Sequence, residues 1–330
     1  RYVAYSATLK AIEENNYSES KRELYNKAVS DVEKYKAKLE ELNKQKNNGA
    51  GGDDFDLEIY KINGKIANGE RIVRAYKCML DKKFAYKSVQ DETLNYTISS
   101  LSSAISDYES LITKEEYEKR IAEQPNGEYV SINSRYNNQP DYEEYCKTIK
   151  ERIASNENKG LIGLYSLEND VIEMTVADSS RSKSLSFVNL FWIIAPLAIY
   201  FASSMVSQEF STRTINLLLI RPVKRWKILL SKYICIITLI FGMIAVCGAV
   251  YLFGTGINLG FADFSQPYIY VASGAAHAAN FILWFLWKVL IASIPIFCLV
   301  NLTFMFSTVT KGTAVSLILG VLSLFSSILI

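Results

Sequence analysis

The sequence predicts an all-α membrane protein, in which a helical domain outside the membrane is followed by a transmembrane helix bundle. Charge is very unevenly distributed. Residues 185–330 contain eight basic and only two acidic residues, whereas residues 1–184 contain the other 28 Lys+Arg and 32 Asp+Glu. All four tryptophans lie in the second part, and tryptophan favours the membrane interface. A change this abrupt indicates two different solvents, so we predict an extracytoplasmic domain at 1–184 and a transmembrane domain at 185–330.

The extracytoplasmic domain is predicted to be helical because its apolar residues recur at steps of three and four positions. Two such stripes flank the segment 47–54, whose Asn, Gly and Asp residues are typical of a turn. Since alternating steps of three and four are the spacing of a coiled coil, we predict an antiparallel coiled-coil hairpin. A third stripe predicts another helix. The stripes are Leu24, Ala28, Val32, Tyr35, Leu39 and Leu42; Ile59, Ile62, Ile66, Gly69, Val73, Tyr76 and Leu80; and Leu94, Ile98, Leu101, Ile105, Tyr108 and Ile112.

The rest of this domain has weaker patterns. Residues 125–140 contain Pro, Gly and Asn and predict a loop, which is followed by a helix near 141–154. Short apolar runs in 160–176 fit either a small strand pair or a helix lying near the membrane. Cys78 and Cys146 would form a disulfide only if this domain faces an oxidising space, so their pairing stays open.

Four stretches are apolar and long enough to cross a bilayer, which takes about 20 helical residues. They are residues 185–206, 229–253, 281–306 and 314–330. Two of them contain proline, which neighbouring helices in a bundle can tolerate. The last stretch reaches the end of the sequence and the first residue is not Met. We therefore expect the sequence to be part of a longer protein.

The loops between these spans alternate in charge. The first loop carries six basic residues and one acidic residue, the loop at 254–280 contains no Lys or Arg, and the third loop contains Lys311. Because cytoplasmic loops carry an excess of Lys and Arg, we predict that 207–232 and 307–313 are cytoplasmic. The protein would then lie in the cell membrane with residues 1–184 outside.

Three charges need separate interpretation. Arg181 and Lys183 lie at the predicted outer end of the first span and oppose this orientation, but they are outnumbered by the six basic residues of the first loop. Lys288 lies within the third span, about two turns from its outer end. A charge inside the membrane is a functional candidate, which makes Lys288 a candidate pathway or interface residue. Its long side chain can also reach the lipid headgroups.

The most informative residue pattern lies in the connector 207–228. It continues into the first residues of the next span, up to Lys232. Apolar residues on one helical face and polar residues on the other predict a helix lying on the membrane. Pro222 ends this helix, since the residue before proline is disfavoured in a helix. The basic residues that follow hold the next span at an anionic inner surface. The apolar face consists of Ile215, Leu218 and Leu219, and the basic cluster of Lys224, Arg225 and Lys227.

The order of residues in this connector resembles the coupling elbow of ABC-2-type transport permeases. A glutamate shortly after a span is followed by Thr-Arg-Thr, by Leu-Leu-Leu-Ile-Arg-Pro-Val, by a basic residue and by a closing lysine. The likeness covers about 26 residues directly. Arg213 stands where the family often has glycine, and Lys224 where it usually has serine. The positions that align with the motif are Glu209, Arg213, Thr214, Arg221, Pro222, Arg225 and Lys232, and all of them except Arg213 also match it in residue type.

The resemblance implies a six-span permease with a large outer domain between its first two spans. The first span would precede Arg1 and the sixth would follow Ile330. It also implies that the elbow docks on a separate ABC ATPase subunit, which binds ATP and Mg, and that two permease subunits, identical or paralogous, act together. The matching residues would then be the contacts that couple ATP hydrolysis to movement of the spans.

The function that follows is export of a substrate by a permease subunit that is not itself an enzyme. No phosphate-binding loop of the form G-x-x-x-x-G-K-[ST] occurs in the sequence, so ATP hydrolysis is expected in the partner. We expect no catalytic, cofactor or metal site in this chain, a structural role for His277, and membrane lipids but no nucleic acid as partners. An alternative is an ATPase-coupled mechanotransducer whose outer coiled coil regulates an external partner without transport. A membrane-anchored receptor without an ATPase is disfavoured by the elbow.

Overall fold

The computed structural model describes most of the chain. The described residues are mostly helical, with one short β-hairpin, and they divide into two compact units. One unit is Arg1–Ala177 with Ile269–Ala278, and the other is Asp178–Tyr268 with Ala279–Ile330. The described residues are 2–47, 52–123, 141–173, 179–211, 225–310 and 312–329.

The N-terminal unit is built from helices that begin and end close to the predicted apolar stripes. The bounds are α1 Tyr2–Asn47, α2 Asp53–Lys82, α3 Val89–Ser110, α4 Lys114–Glu123 and α5 Tyr142–Asn169. In this unit α2 packs against α1, α3 and α5, and α3 packs against α5.

Helices α1 and α2 lie antiparallel, and most of the glycine-rich turn predicted between them, residues 48–51, lies outside the described residues. Near the turn, Lys46 pairs with Asp56 (Nζ–Oδ1 2.8 Å), and a Cβ atom on Gly69 would lie only 2.6 Å from a methyl carbon of Val32. This close approach brings the two backbones together at the middle of the pair. The antiparallel pairing agrees with the prediction, although α2 also buries residues against α3 and α5, as Ile62 and Met79 are each 2 % exposed.

Helix α5 continues to Asn169, so the strand-pair interpretation of 160–176 is wrong for the residues up to that point. The reason is close packing on α3. A Cβ atom on Gly160 would overlap Leu101, and one on Gly163 would overlap Thr97. The two glycines therefore let α5 approach α3 closely, and the burial of both neighbours offsets the low helix propensity of glycine.

A buried polar cluster fastens α1 to the beginning of α3. The Tyr17 hydroxyl donates to Asp91 Oδ1 at 2.5 Å, and Lys21 Nζ lies 3.5 Å from the same oxygen. Lys21 also donates to Asn95 at 2.8 Å. Asp91 is 5 % exposed, so these partners satisfy a charge that would otherwise be costly to bury. The heptad pattern gave no sign of this cluster, because the groups are 74 residues apart.

The phenol of Tyr108 is packed over Gly64 and donates to Glu157 Oε1 at 3.1 Å. Burial, followed by the negative charge of Glu157, raises the pKa of Tyr108 well above its usual value of about 10. Because the pKa of this phenol is higher in the folded protein than in the unfolded chain, its contribution to the free energy of unfolding is complete below about pH 10. This contribution is lost as the pH rises through the folded-state pKa.

We therefore expect a spectrophotometric titration of the whole protein to show phenols that ionise late, together with a loss of helix stability above about pH 10. Tyr108→Phe should remove one late-ionising phenol from the absorbance curve. An unchanged late part of the curve in Tyr108→Phe would contradict this assignment.

Cys78 and Cys146 do not form the disulfide that the sequence left open. Both are free. Cys78 lies beside Met79 and Leu94 and donates to the carbonyl of Leu167 at 3.3 Å, whereas Cys146 packs in a separate tyrosine-rich cluster.

The second unit contains the apolar helices and the connections between them. Its helices are α6 Ser180–Leu185, the 3₁₀ turn Ser186–Leu190, α7 Phe191–Ser211, α8 Arg225–Leu259, the 3₁₀ turn Ala262–Ser265, α9 Phe281–Thr310 and α10 Thr313–Leu329. The strands β1 Tyr268–Ala272 and β2 Ala275–Ala279 lie between α8 and α9 in the sequence, but all of their residues except Tyr268 and Ala279 belong to the first unit.

Three helical stretches are long and apolar enough to cross a membrane: Ser180–Met205, Trp226–Leu259 and Phe281–Thr310. They coincide with the first three predicted spans. The fourth prediction falls on α10, which contains a shorter apolar helical stretch, Thr313–Phe325. Large apolar side chains on α8 are more than 60 % exposed, as at Phe241, which is typical of a surface that faces lipid or another protein.

The loop predicted at 254–280 is partly ordered into a β-hairpin, which the all-α prediction did not include. Its two-residue turn is Ser273-Gly274, and both residues have positive φ, 52° and 78°. Such turns match the twist of antiparallel strands. Glycine reaches this conformation at no steric cost, so the Ser-Gly pair was the signal that the sequence analysis overlooked.

Candidate functional site

The predicted elbow is described only at its two ends. Glu209 lies in the last turn of α7, and Arg225 is the first residue of α8. The helix therefore continues past residue 207, where the elbow was predicted to begin. Lys232 lies further along α8. The remaining four of the seven candidates lie within 212–224, outside the described residues, as does the predicted break at Pro222. These four are Arg213, Thr214, Arg221 and Pro222.

The first turns of α8 carry basic and aromatic side chains. Lys227 Nζ lies 5.9 Å from the centre of the Trp226 ring, and that ring is 57 % exposed. Lys232 follows about one turn later and is half-buried. Exposed tryptophan beside lysine is typical of a helix end at the membrane interface.

At the other end of the elbow, the last turns of α7 are joined to α9 by serine hydrogen bonds. Ser307 Oγ donates to the carbonyl of Ser203 at 2.7 Å and accepts from the backbone N–H of Ser207 at 3.3 Å. The Ser207 hydroxyl also donates to the Ser203 carbonyl. All three side chains are at most 1 % exposed. We call Ser203, Ser207 and Ser307 the serine junction.

Small side chains continue this contact along α7, α9 and α10. Ala198 and Ala202 on α7 are fully buried, and Gly320 on α10 packs against Ile199 and Thr303. Small residues let helices in a membrane approach closely, because lipid supplies no hydrophobic force between them. The serine junction is therefore the polar end of a tightly packed three-helix contact, and the elbow begins directly after it.

An ion pair holds the opposite end of this unit together. Arg181 is fully buried, and its Nε and backbone N–H each donate to Asp263 at 2.9 Å. The guanidinium also donates to the carbonyl of Pro267 at 2.6 Å, and the hydroxyl of Ser180 donates to the Gly260 carbonyl at 2.7 Å. We call Arg181, Asp263 and Pro267 the arginine clamp.

From the sequence, Arg181 is interpreted only as a charge at the outer end of the first span, with no partner assigned to it. The two partners are 82 residues apart, so no local pattern joins them. One signal was present: Asp263 is one of only two acidic residues after residue 184, and an isolated charge in an apolar region requires a partner.

Lys288 lies on the exposed face of α9, far along that helix from the serine junction. It is 19 positions before Ser307 on the same helix, which corresponds to a separation on the order of 30 Å. It therefore belongs to a different part of α9 than the serine junction.

A family model described as protein of unknown function (DUF2705) matches residues 162–330. The match covers the elbow, the serine junction and the arginine clamp, and leaves out most of the N-terminal unit. No curated protein and no solved structure matches this chain. Since the matched residues make up just over half of the sequence, the chain belongs to the DUF2705 family.

Proposed function

We propose that this chain is the permease subunit of an ATP-driven exporter of the ABC-2 type, whose elbow couples a separate ATPase to movement of the membrane helices. The observation that carries the proposal is the residue order from Glu209 to Lys232, which lies between two helices of membrane-crossing length. The ATPase partner would bind ATP and Mg, and a second permease subunit would complete the pathway.

The serine junction supports this function because it connects the elbow to more than one helix. Ser207 lies one turn before the end of α7, and Ser307 lies one turn before the end of α9. A force applied to the elbow would therefore act on both helices through buried hydrogen bonds. Such packed contacts are the physical means by which movement at one site reaches another.

The contacts within the second unit also support the predicted sidedness. The serine junction brings the ends of α7 and α9 together, and the arginine clamp brings the beginning of α6 together with the loop after α8. This alternation fits connections that lie on opposite sides of a membrane. Arg181, which opposes this orientation, is buried in an ion pair with Asp263, and the six basic residues of the first loop outnumber it.

The mechanotransducer alternative shares the ATPase but gives the N-terminal unit the main role. It is favoured by the polar cluster of Tyr17, Lys21 and Asp91, which makes α1 a fixed arm rather than a free one. Asp91→Ala would loosen this arm. The transducer requires that this variant abolish regulation of an external partner, whereas the exporter requires that substrate efflux depend on the ATPase.

Co-purification tests the proposed coupling. We would search the neighbouring reading frames for an ABC ATPase, co-express it with the chain, isolate the complex, and measure ATP hydrolysis in proteoliposomes. We expect Glu209→Ala and Arg221→Ala to weaken the complex about tenfold, equivalent to about 1.4 kcal/mol. Glu151→Ala and Lys150→Ala, on the exposed face of α5, are controls matched in charge.

Two results would overturn the coupling proposal. One is that no ABC ATPase co-purifies with the wild-type chain under conditions in which the chain itself is monodisperse. The other is that the elbow variants and the α5 variants retain the same amount of ATPase and the same rate of hydrolysis.

A further inference from the structure

The β-hairpin leaves one edge of β2 open within the described residues. The sheet has two strands, so β2 pairs with β1 on one side only. A free strand edge is a template for another strand, and proteins usually protect it with lysine or proline. Strand β2 has the sequence Ala-Ala-His-Ala-Ala and carries neither. Ala275, His277 and Ala278 are exposed, and a two-stranded hairpin alone is only marginally stable.

The turn defines which backbone groups point towards the open edge. A two-residue turn puts Ala272 opposite Ala275, and Tyr270 then lies opposite His277, whose ring centre is 5.7 Å from that of Tyr270. In an antiparallel ladder, alternate residues direct both backbone groups to the same neighbour. His277 therefore faces β1 with its N–H and C=O, whereas Ala276 and Ala278 direct theirs outwards.

The sequence of β2 reads the same in both directions, with His277 at its centre. Two identical strands that pair antiparallel are related by a two-fold axis, and an interface of this kind must complement itself. We propose that β2 pairs with β2 of a second copy of this chain, so that the two hairpins form one four-stranded sheet. Ala276 lies opposite the partner's Ala278 and exchanges both hydrogen bonds with it, and His277 lies opposite the partner's His277.

Charge and size favour a second copy as the occupant of this edge. The sequence between Asp263 and Lys288 contains no Lys, Arg, Asp or Glu, so two identical hairpins approach without the repulsion that like charges opposite each other would cause. On β2 the neighbours of the histidine are methyl groups, which fit against each other in either strand direction. A partner with a different sequence would gain nothing from this symmetry.

This pairing goes beyond the proposed transport function and does not depend on it. It concerns contact between two copies at the hairpin, and it involves neither the elbow nor the ATPase. Loss of the pairing would leave the co-purification of an ATPase unaffected, and a chain without any ATPase partner could still pair through β2.

Disulfide cross-linking of the full chain in membranes tests the register. In a background with the five native cysteines replaced, His277→Cys places one thiol at the two-fold axis. Residues at a non-hydrogen-bonded position have Cα atoms about 4.5 Å apart, within the range of a disulfide. We expect mild oxidation to convert most of this variant to a covalent dimer of twice 37.3 kDa on a non-reducing gel.

Matched controls lie on the same strand. In this register Ala275 lies opposite the partner's Ala279, and about 13 Å from the partner's Ala275. Ala275→Cys and Ala279→Cys should therefore stay monomeric when expressed singly and cross-link when the two variants, carrying different tags, are co-expressed. This pair also decides the question if His277→Cys does not accumulate. The proposal is overturned if neither His277→Cys nor the mixed pair cross-links, or if Ala275→Cys alone cross-links as fully as His277→Cys.

Discussion

Arg181→Ala should destabilise the membrane unit by about 3–5 kcal/mol, the usual cost of removing one partner of a buried ion pair. The variant leaves Asp263, whose side chain is 13 % exposed, without its cation. It also removes the donor to the carbonyl of Pro267. The measurement is the midpoint of SDS-induced unfolding of the purified full chain in detergent, read by tryptophan fluorescence.

Two further variants separate the ion pair from a general effect of mutation. Lys183→Ala changes an exposed charge on the same short helix and should change the midpoint little. Arg181→Met combined with Asp263→Ala removes both charges, so it should be less destabilising than Arg181→Ala alone. If the single and double variants are equally destabilised, the ion pair is not the source of the effect.

Gly320→Leu should cause the second large loss, because it separates the helices that meet at the serine junction. A Cβ atom on Gly320 would lie 2.6 Å from Thr303 Oγ1 and 2.8 Å from a methyl carbon of Ile199. Overpacking of this kind costs about 1–3 kcal/mol when the surroundings can shift. We expect Gly320→Ala to fall in that range and Gly320→Leu to exceed it, by the same unfolding measurement.

The structure offers a control and a rescue for this prediction. Gly242 on α8 has open space where a Cβ atom would go, so Gly242→Ala should be neutral or slightly stabilising, since alanine is the better helix former. Thr303→Ala removes two of the three closest atoms around Gly320 and should recover part of the loss caused by Gly320→Ala. Equal effects of Gly320→Ala and Gly242→Ala would contradict the close packing.

The elbow shows where the sequence is more informative than the structure. Glu209 and Arg225 lie at the ends of the helices on either side of it, and the residues between them that carry most of the resemblance lie outside the described part of the chain. Their proposed role depends on residue type and order, which are properties of the sequence. The structure adds the serine junction, which identifies the helices that would move with the elbow.

The sequence by itself determined the features that depend on neighbouring residues. Three predicted spans coincide with helices of membrane-crossing length, because apolarity over about 20 residues is a local property. The antiparallel order of α1 and α2 followed from two apolar stripes on either side of a glycine-rich turn, which is local as well. The helical class of the protein was predictable for the same reason.

Only the tertiary structure decided which distant residues meet. Arg181 binds Asp263 across 82 positions, and Ser207 meets Ser307 across 100. Gly160 packs beneath Leu101 and thereby keeps α5 helical where the sequence also allowed strands. A repeat of three and four residues identifies the buried face of a helix but not the neighbour that covers it. These contacts depend on how separate helices pack, which no local period encodes.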